Sequence, residues 1–263
     1  MKDGIARKKA FIMDMDGVIY HGNRLLPGAA EFTDWLIRNG KDFLFLTNSS
    51  ERTPRELCEK LKRLGIVTTE EHFFTSALAT AGFLASQKPE CTCYVIGEAG
   101  LYNALYERGI TMNDVNPDYV VVGETRTYNF EQIEKASILI QKGAKLIGCN
   151  PDMTGPSELG IVPATGAMIA PIELCTGVKA YFPGKPNPIM MRHAVKRLNM
   201  KSSDTLIIGD RMDTDIVAGV EAAVDTALVL SGVTARDDIP RFAYQPTYVF
   251  TGLDELFRSV VSQ

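Results

Sequence analysis

The 263-residue sequence lacks an apolar run long enough to span a bilayer, where about 20 consecutive residues are needed, and its charged N-terminus has no apolar h-region behind it. The expectation is a cytoplasmic protein with no membrane partner. Basic blocks are missing as well: beyond short runs such as Arg7-Lys8-Lys9 nothing concentrates positive charge, and the net charge is -4, so no nucleic-acid polymer is expected as a partner. Histidine is scarce, with His21, His72 and His193 far apart, and the five cysteines Cys58, Cys91, Cys93, Cys149 and Cys175 are odd in number and scattered. They read as reduced thiols used as small core residues. Cys91 and Cys93 share a strand face, but no histidine stands near enough in sequence to complete a zinc set. The sequence has no G-x-x-x-x-G-K-[ST] and no G-x-S-x-G, and Gly97-Glu98-Ala99-Gly100, although between a strand and a helix, lacks the three-glycine spacing of a nucleotide-binding turn.

What is present is ample apolar material: 45% of residues are hydrophobic, enough for one large or two modest cores. The chain opens with Ala10-Phe11-Ile12-Met13, an apolar run that fits a buried strand, and this run ends in Asp14-Met15-Asp16-Gly17. Residues i and i+2 of a strand point to one side, so Asp14 and Asp16 can converge. Two carboxylates held together repel unless one takes a proton or a cation lies between them, and a Mg²⁺ bound by carboxylates and phosphate oxygens meets that need. The competing reading is a solvated strand end followed by an Asp-Gly turn.

Helix, strand and turn signals then alternate. A helix is expected over 29–38 with Asn39-Gly40 as its stop, a strand over 42–47 ending in Thr47-Asn48-Ser49-Ser50, a helix over 52–64 and a strand at 73–76. This order implies a Rossmann-like parallel sheet, with ligands beyond the carboxyl ends of its strands. From 79 to 181 the alternation restarts without an acidic strand end, which suggests an inserted α/β domain, leaving 1–78 and 182–263 as the core. The core resumes with the loop Pro183-Gly184-Lys185-Pro186, a strand Thr205-Leu206-Ile207-Ile208-Gly209-Asp210, and a helix expected over 215–223.

Asp14-Met15-Asp16-Gly17, Thr47-Asn48, Gly184-Lys185-Pro186 and Gly209-Asp210-Arg211-Met212-Asp213-Thr214-Asp215, in that order, resemble the four motifs of the haloacid dehalogenase-like superfamily. The wording Met15-Asp16-Gly17-Val18-Ile19-Tyr20, the Thr47-Asn48-Ser49 form, Asn150-Pro151-Asp152 and the large insertion look like its NagD-like branch, which carries a type-two cap selecting the substrate. The resemblance implies a Mg²⁺-dependent phosphatase of small phosphomonoesters, with nucleoside monophosphates and sugar phosphates among the expected classes. Chemically, Asp14 would attack phosphorus and form an aspartyl-phosphate, and Asp16 would protonate the leaving oxygen and later deprotonate water. The metal would take the Asp14 side chain, the Asp16 backbone carbonyl and Asp210. Gly17, Thr47, Asn48, Ser49, Asn150 and Lys185 would bind the phosphate ester, Asn48 through a backbone N–H and Lys185 as a point cation. Asp213 and Asp215 compete for a supporting acidic role, with Asp215 favoured.

Each motif also has a plain structural reading: a helix cap for Thr47-Asn48, a solvated loop lysine for Lys185, first-turn charges for Asp213 and Asp215. Dehalogenation is disfavoured because a halide leaving group needs no acid such as Asp16. A phosphomutase or phosphotransferase, and a non-catalytic binder of phosphate esters, stay open as alternatives. The oligomeric state is open too, a homodimer included.

Overall fold

The computed structural model describes residues 4–157 and 160–261, and the chain forms two compact units: Met1–Thr47, Leu57–Phe74 and Pro186–Gln263 in the first, Asn48–Glu56 and Thr75–Lys185 in the second.

In chain order the strands are β1 (Ala10–Met13), β2 (Tyr20–His21), β3 (Arg24–Leu25), β4 (Asp42–Thr47), β5 (Phe73–Thr75), β6 (Thr92–Ile96), β7 (Thr111–Met112), β8 (Tyr119–Val122), β9 (Lys145–Gly148), β10 (Thr154–Ser157), β11 (Gly160–Pro163), β12 (Thr205–Gly209), β13 (Asp225–Val229) and β14 (Tyr248–Phe250). The helices are α1 (Ala29–Arg38), α2 (Pro54–Arg63), α3 (Ser76–Gln87), α4 (Ala99–Tyr106), α5 (Phe130–Gln141), α6 (Thr165–Thr176), α7 (Pro188–Arg197), α8 (Val217–Glu221) and α9 (Leu253–Val261).

The first unit is built on a six-stranded sheet of order β14-β13-β12-β1-β4-β5, with parallel pairing at β14–β13, β13–β12, β12–β1 and β1–β4. β1 and β12 are buried at every position, as central strands covered on both faces must be, which is why their sequences read as unbroken apolar runs. Phe11 anchors one side, edge-on to Phe32 at 5.6 Å, with Trp35 stacked on Phe32 at 5.8 Å. Register pairs Met13 with Ile208, so the residues that follow β1 and β12 emerge side by side. The Rossmann-like α/β core expected from the sequence is the fold found.

The second unit holds a four-stranded parallel sheet of order β7-β6-β8-β9. Alternate residues of β8 face opposite sides: Tyr119 and Val121 join a core with Leu84 of α3 and Leu101 of α4, whereas Val120 and Val122 join Leu139 of α5 and Ile169 of α6. A hairpin of β10 and β11 follows β9. The unit is wider than 79–181, since it takes in Asn48–Glu56 and runs from Thr75 to Lys185.

Local differences from the sequence reading have physical causes. The helix expected over 215–223 begins as a π-turn at Met212–Ile216, in which the Arg211 carbonyl accepts from both Asp215 and Ile216, and only then becomes α8. Thr47 and Asn48 do not cap a helix; α2 starts at Pro54, capped by Thr53, whose hydroxyl accepts from the Glu56 N–H while Glu56 Oε2 accepts from the Thr53 N–H. All five cysteines are free, but Cys175 is exposed and Cys58 half-buried, so only Cys91, Cys93 and Cys149 are core residues.

Candidate active site

Asp14 follows β1, Asp210 follows β12 and Asp215 sits in the π-turn behind Asp210. Parallel pairing sets the first two together, with the Asp14 N–H donating to the Ile208 carbonyl at 2.9 Å. One carboxylate oxygen from each of Asp14, Asp210 and Asp215 lies within 4.8 Å of the other two. Asp210 and Asp215 are 2% and 0% exposed, so water does little to screen their charges. Three acids that close, two of them buried, need protons or a cation, and an all-oxygen donor set suits a hard divalent ion. The residues present therefore fit Mg²⁺ or a similar cation.

Asp210 is held by its surroundings: Oδ2 accepts from the Val233 N–H at 2.7 Å, and the Asp210 carbonyl accepts from Thr234 N–H at 3.1 Å. The backbone closes in so tightly that a Cβ on Gly232 would stand 2.0 Å from Asp210 Oδ2, and one on Gly17, where φ is +81°, 2.6 Å from it. Gly17 is needed for the turn and for this approach, and its carbonyl accepts from Ser231 Oγ at 2.7 Å. Asp215 is oriented by the Arg211 N–H, which donates to its Oδ2 at 3.2 Å. The π-turn separates the two competing acids: Asp215 points into the cluster, whereas Asp213 lies at the surface in a two-point pair with Arg211 at 2.8 and 3.0 Å. That guanidinium holds the Asp213 carboxyl below the usual carboxylate range.

The Asp16 side chain is outside the group of three. It is 40% exposed and stands 3.4 Å from His21 Nδ1 on the β2–β3 hairpin. Burial raises its pKa, opposed by His21 and by Lys60, whose ammonium rests 3.5 Å above the Tyr20 ring. A carboxyl whose pKa is raised holds its proton more readily and can give it to a departing group.

In the second unit Asn48 and Lys185 meet through the backbone. The Asn48 side chain accepts from the Lys185 N–H at 2.8 Å and donates to the Lys185 carbonyl at 2.9 Å, a peptide-like clamp on this one residue. Gly184 makes the clamp accessible, since a Cβ there would meet the Cys149 carbonyl at 2.4 Å and Asn48 Oδ1 at 3.0 Å. Lys185 itself is 2% exposed, so it is not a solvated loop lysine. Thr47 and Ser49, flanking Asn48, are half-buried at the end of β4.

Asn150 does not fit the expected ester contact. It is 0% exposed and its amide is occupied: Nδ2 donates to the Asn48 carbonyl at 2.7 Å, to Glu124 Oε1 at 3.2 Å and to Thr165 Oγ1 at 3.2 Å, and Oδ1 accepts from the Asp152 N–H at 3.1 Å. Its place is behind Asn48. Sequence reading missed Glu124 entirely, because a lone acid after a strand carries no local signal of burial.

Comparison with known proteins places the chain in a family. Residues 11–111 match the model of the haloacid dehalogenase-like hydrolase family, and residues 182–256 match the HAD-hydrolase-like model. The chain belongs to the haloacid dehalogenase-like hydrolases. It falls in their NagD-like branch: it is 41% identical to ribonucleotide monophosphatase NagD of Escherichia coli K12 over 94% of this chain and 98% of that one. It is also 47% identical to a dihydroxyacetone phosphatase of Corynebacterium glutamicum, covering 94% and 90% of the two chains. Among solved structures it resembles 4-nitrophenylphosphatase from Thermotoga maritima, with a TM-score of 0.93 at 33% identity and 98% and 99% of the chains covered.

Proposed function

We propose that this NagD-like hydrolase is a Mg²⁺-dependent phosphatase of small phosphomonoesters acting through an aspartyl-phosphate on Asp14. The observation that carries the reading is the convergence of three carboxylates, Asp14 and Asp210 just past the ends of the adjacent parallel strands β1 and β12 and Asp215 in the π-turn that follows. The names of its relatives support the substrate class, since they include a dihydroxyacetone phosphatase, a ribonucleotide monophosphatase and acid sugar phosphatases. The segment 79–181 is read as a cap that selects among such esters.

In this mechanism the Asp14 carboxylate attacks phosphorus, the P–O bond to the alcohol breaks, and Asp16 gives its proton to the departing oxygen. Water then attacks the aspartyl-phosphate while Asp16 takes the proton back, and Asp14 is regenerated. Thr47, the backbone N–H groups around Asn48 and Ser49, the turn at Gly17 and the Lys185 ammonium are assigned to the phosphoryl oxygens. Asp14, Asp210 and the Asp16 carbonyl would hold the cation, with Asp215 orienting the set. Its chemistry is to offset negative charge so that two anions can approach.

Phosphate release from 4-nitrophenyl phosphate, dihydroxyacetone phosphate and ribonucleoside monophosphates tests the reading. Activity should disappear in chelator and return with Mg²⁺. Full turnover in metal-free buffer would overturn it.

A further inference from the structure

Glu124 follows β8, half-buried, with its carboxylate surrounded by donors. Oε2 accepts from the Ser50 N–H at 2.9 Å and from Ser50 Oγ at 3.3 Å, and Oε1 accepts from Asn150 Nδ2 at 3.2 Å. The Glu124 N–H in turn donates to Ser50 Oγ at 3.0 Å. Both contacts lead to Asn48: Ser50 is two residues along the chain from it, and Asn150 Nδ2 donates to the Asn48 carbonyl at 2.7 Å. Asn48 then grips Lys185 from both sides of its peptide. We propose that Glu124 is a positioning residue for phosphoryl transfer, fixing Ser50 and Asn150 so that the Asn48 amide holds Lys185 in place. This rests on the reading of Lys185 as the cation for the phosphoryl group.

The arrangement requires an acceptor at both oxygens. A glutamine cannot supply it, because its NH₂ group would face either Asn150 Nδ2 or the Ser50 N–H, donor against donor. Burial pushes the Glu124 carboxyl up to about 7, the Ser50 and Asn150 hydrogen bonds pull it down, and the nearby Glu51 and Asp152 carboxylates raise it. Also facing this region are the buried Cys149 thiol, Arg126, which pairs with Glu51 at 3.7 Å, and Glu98, which accepts from Thr125 and Arg126. The sign separates function from stability. The clamp needs the ionised form and tightens as pH rises through neutrality. A carboxyl raised above its ordinary value instead contributes stability that is full below that ordinary value and is lost as pH rises through about 7. Activity lost on acidification by this group is therefore not unfolding.

The test measures kcat and KM with 4-nitrophenyl phosphate and Mg²⁺ between about pH 5.5 and 8.5 for the full chain and three variants. Glu124→Gln should lower kcat about tenfold or more, change KM less than about twofold and remove the limb near neutrality. Glu124→Asp, which keeps the charge, should keep a limb. A Glu124→Gln profile with the wild-type shape overturns the proposal, and so does a limb-free Glu124→Asp profile, which decides the matter alone if the glutamine variant does not fold. Lys185→Met separates the two levels: unchanged kcat there removes the role of Lys185 itself, whereas a large loss there beside a wild-type Glu124→Gln profile overturns only the positioning by Glu124.

Discussion

Asp14 and Asp16 stand two positions apart in surroundings that ask different chemistry of them. Asp14 shares a small volume with two buried carboxylates, and Asp16 stands half-exposed beside His21 with its pKa raised by burial. If Asp16 is the proton donor, Asp16→Asn should cost an alkyl phosphate about 10²-fold or more in kcat and an aryl phosphate with an acidic leaving group clearly less, because the latter departs without help. Equal losses for both esters would contradict the role. The strand end was legible in the sequence, because an apolar run closing in Asp-x-Asp-Gly is a local signal, but the convergence expected of Asp14 and Asp16 was not found: the chain turns at Gly17, and Asp14 meets Asp210 and Asp215 while the Asp16 side chain turns to His21. The Glu124–Asn150–Asn48 chain was not legible, because its members are 26 and 102 residues apart and only tertiary contact brings them together.

Elements differed in how much of themselves they announced. β1, β4, β12 and α1 follow from apolar period and turn residues, and α9 is visible in hindsight from the spacing of its buried Leu253, Leu256 and Val260. α6 buries one helical stripe, Thr165, Met168, Ile169 and Ile172, but the stripe opens on a polar residue, Pro171 interrupts it and the apolar Leu174 is exposed, so the sequence alone does not display it. The hairpins β2–β3 and β10–β11 are too short to carry one. The π-turn is the element that matters most for chemistry, because it turns two acids of the same stretch in different directions. Asp215→Asn should weaken Mg²⁺ activation about 10- to 100-fold, while Asp213→Asn, which loses only a surface pair with Arg211, should leave it within about twofold. Titrating phosphatase activity with Mg²⁺ for both variants reads this directly, and equal effects would place the acids wrongly.

At the scale of the whole molecule the sequence conveyed the α/β core, the order of its motifs and the family, while the boundary of the second unit eluded it. Asn48–Glu56 and Lys185 read as core loops by their position between core strands, and contacts assign them to the other unit. Among the described residues no helix is long and apolar enough to cross a membrane. The account as a whole depends on a covalent phosphoryl group at Asp14, reached through the acids that close β1 and β12. Rapid-quench mass spectrometry of the wild-type chain, Asp14→Asn and Asp16→Asn with Mg²⁺ and 4-nitrophenyl phosphate tests that dependence most directly. The adduct should appear on Asp14 in the wild type, accumulate in Asp16→Asn, where its hydrolysis lacks a base, and be absent from Asp14→Asn. A phosphoryl group on the Asp14→Asn protein, or steady turnover by that variant at the wild-type rate, would contradict the account.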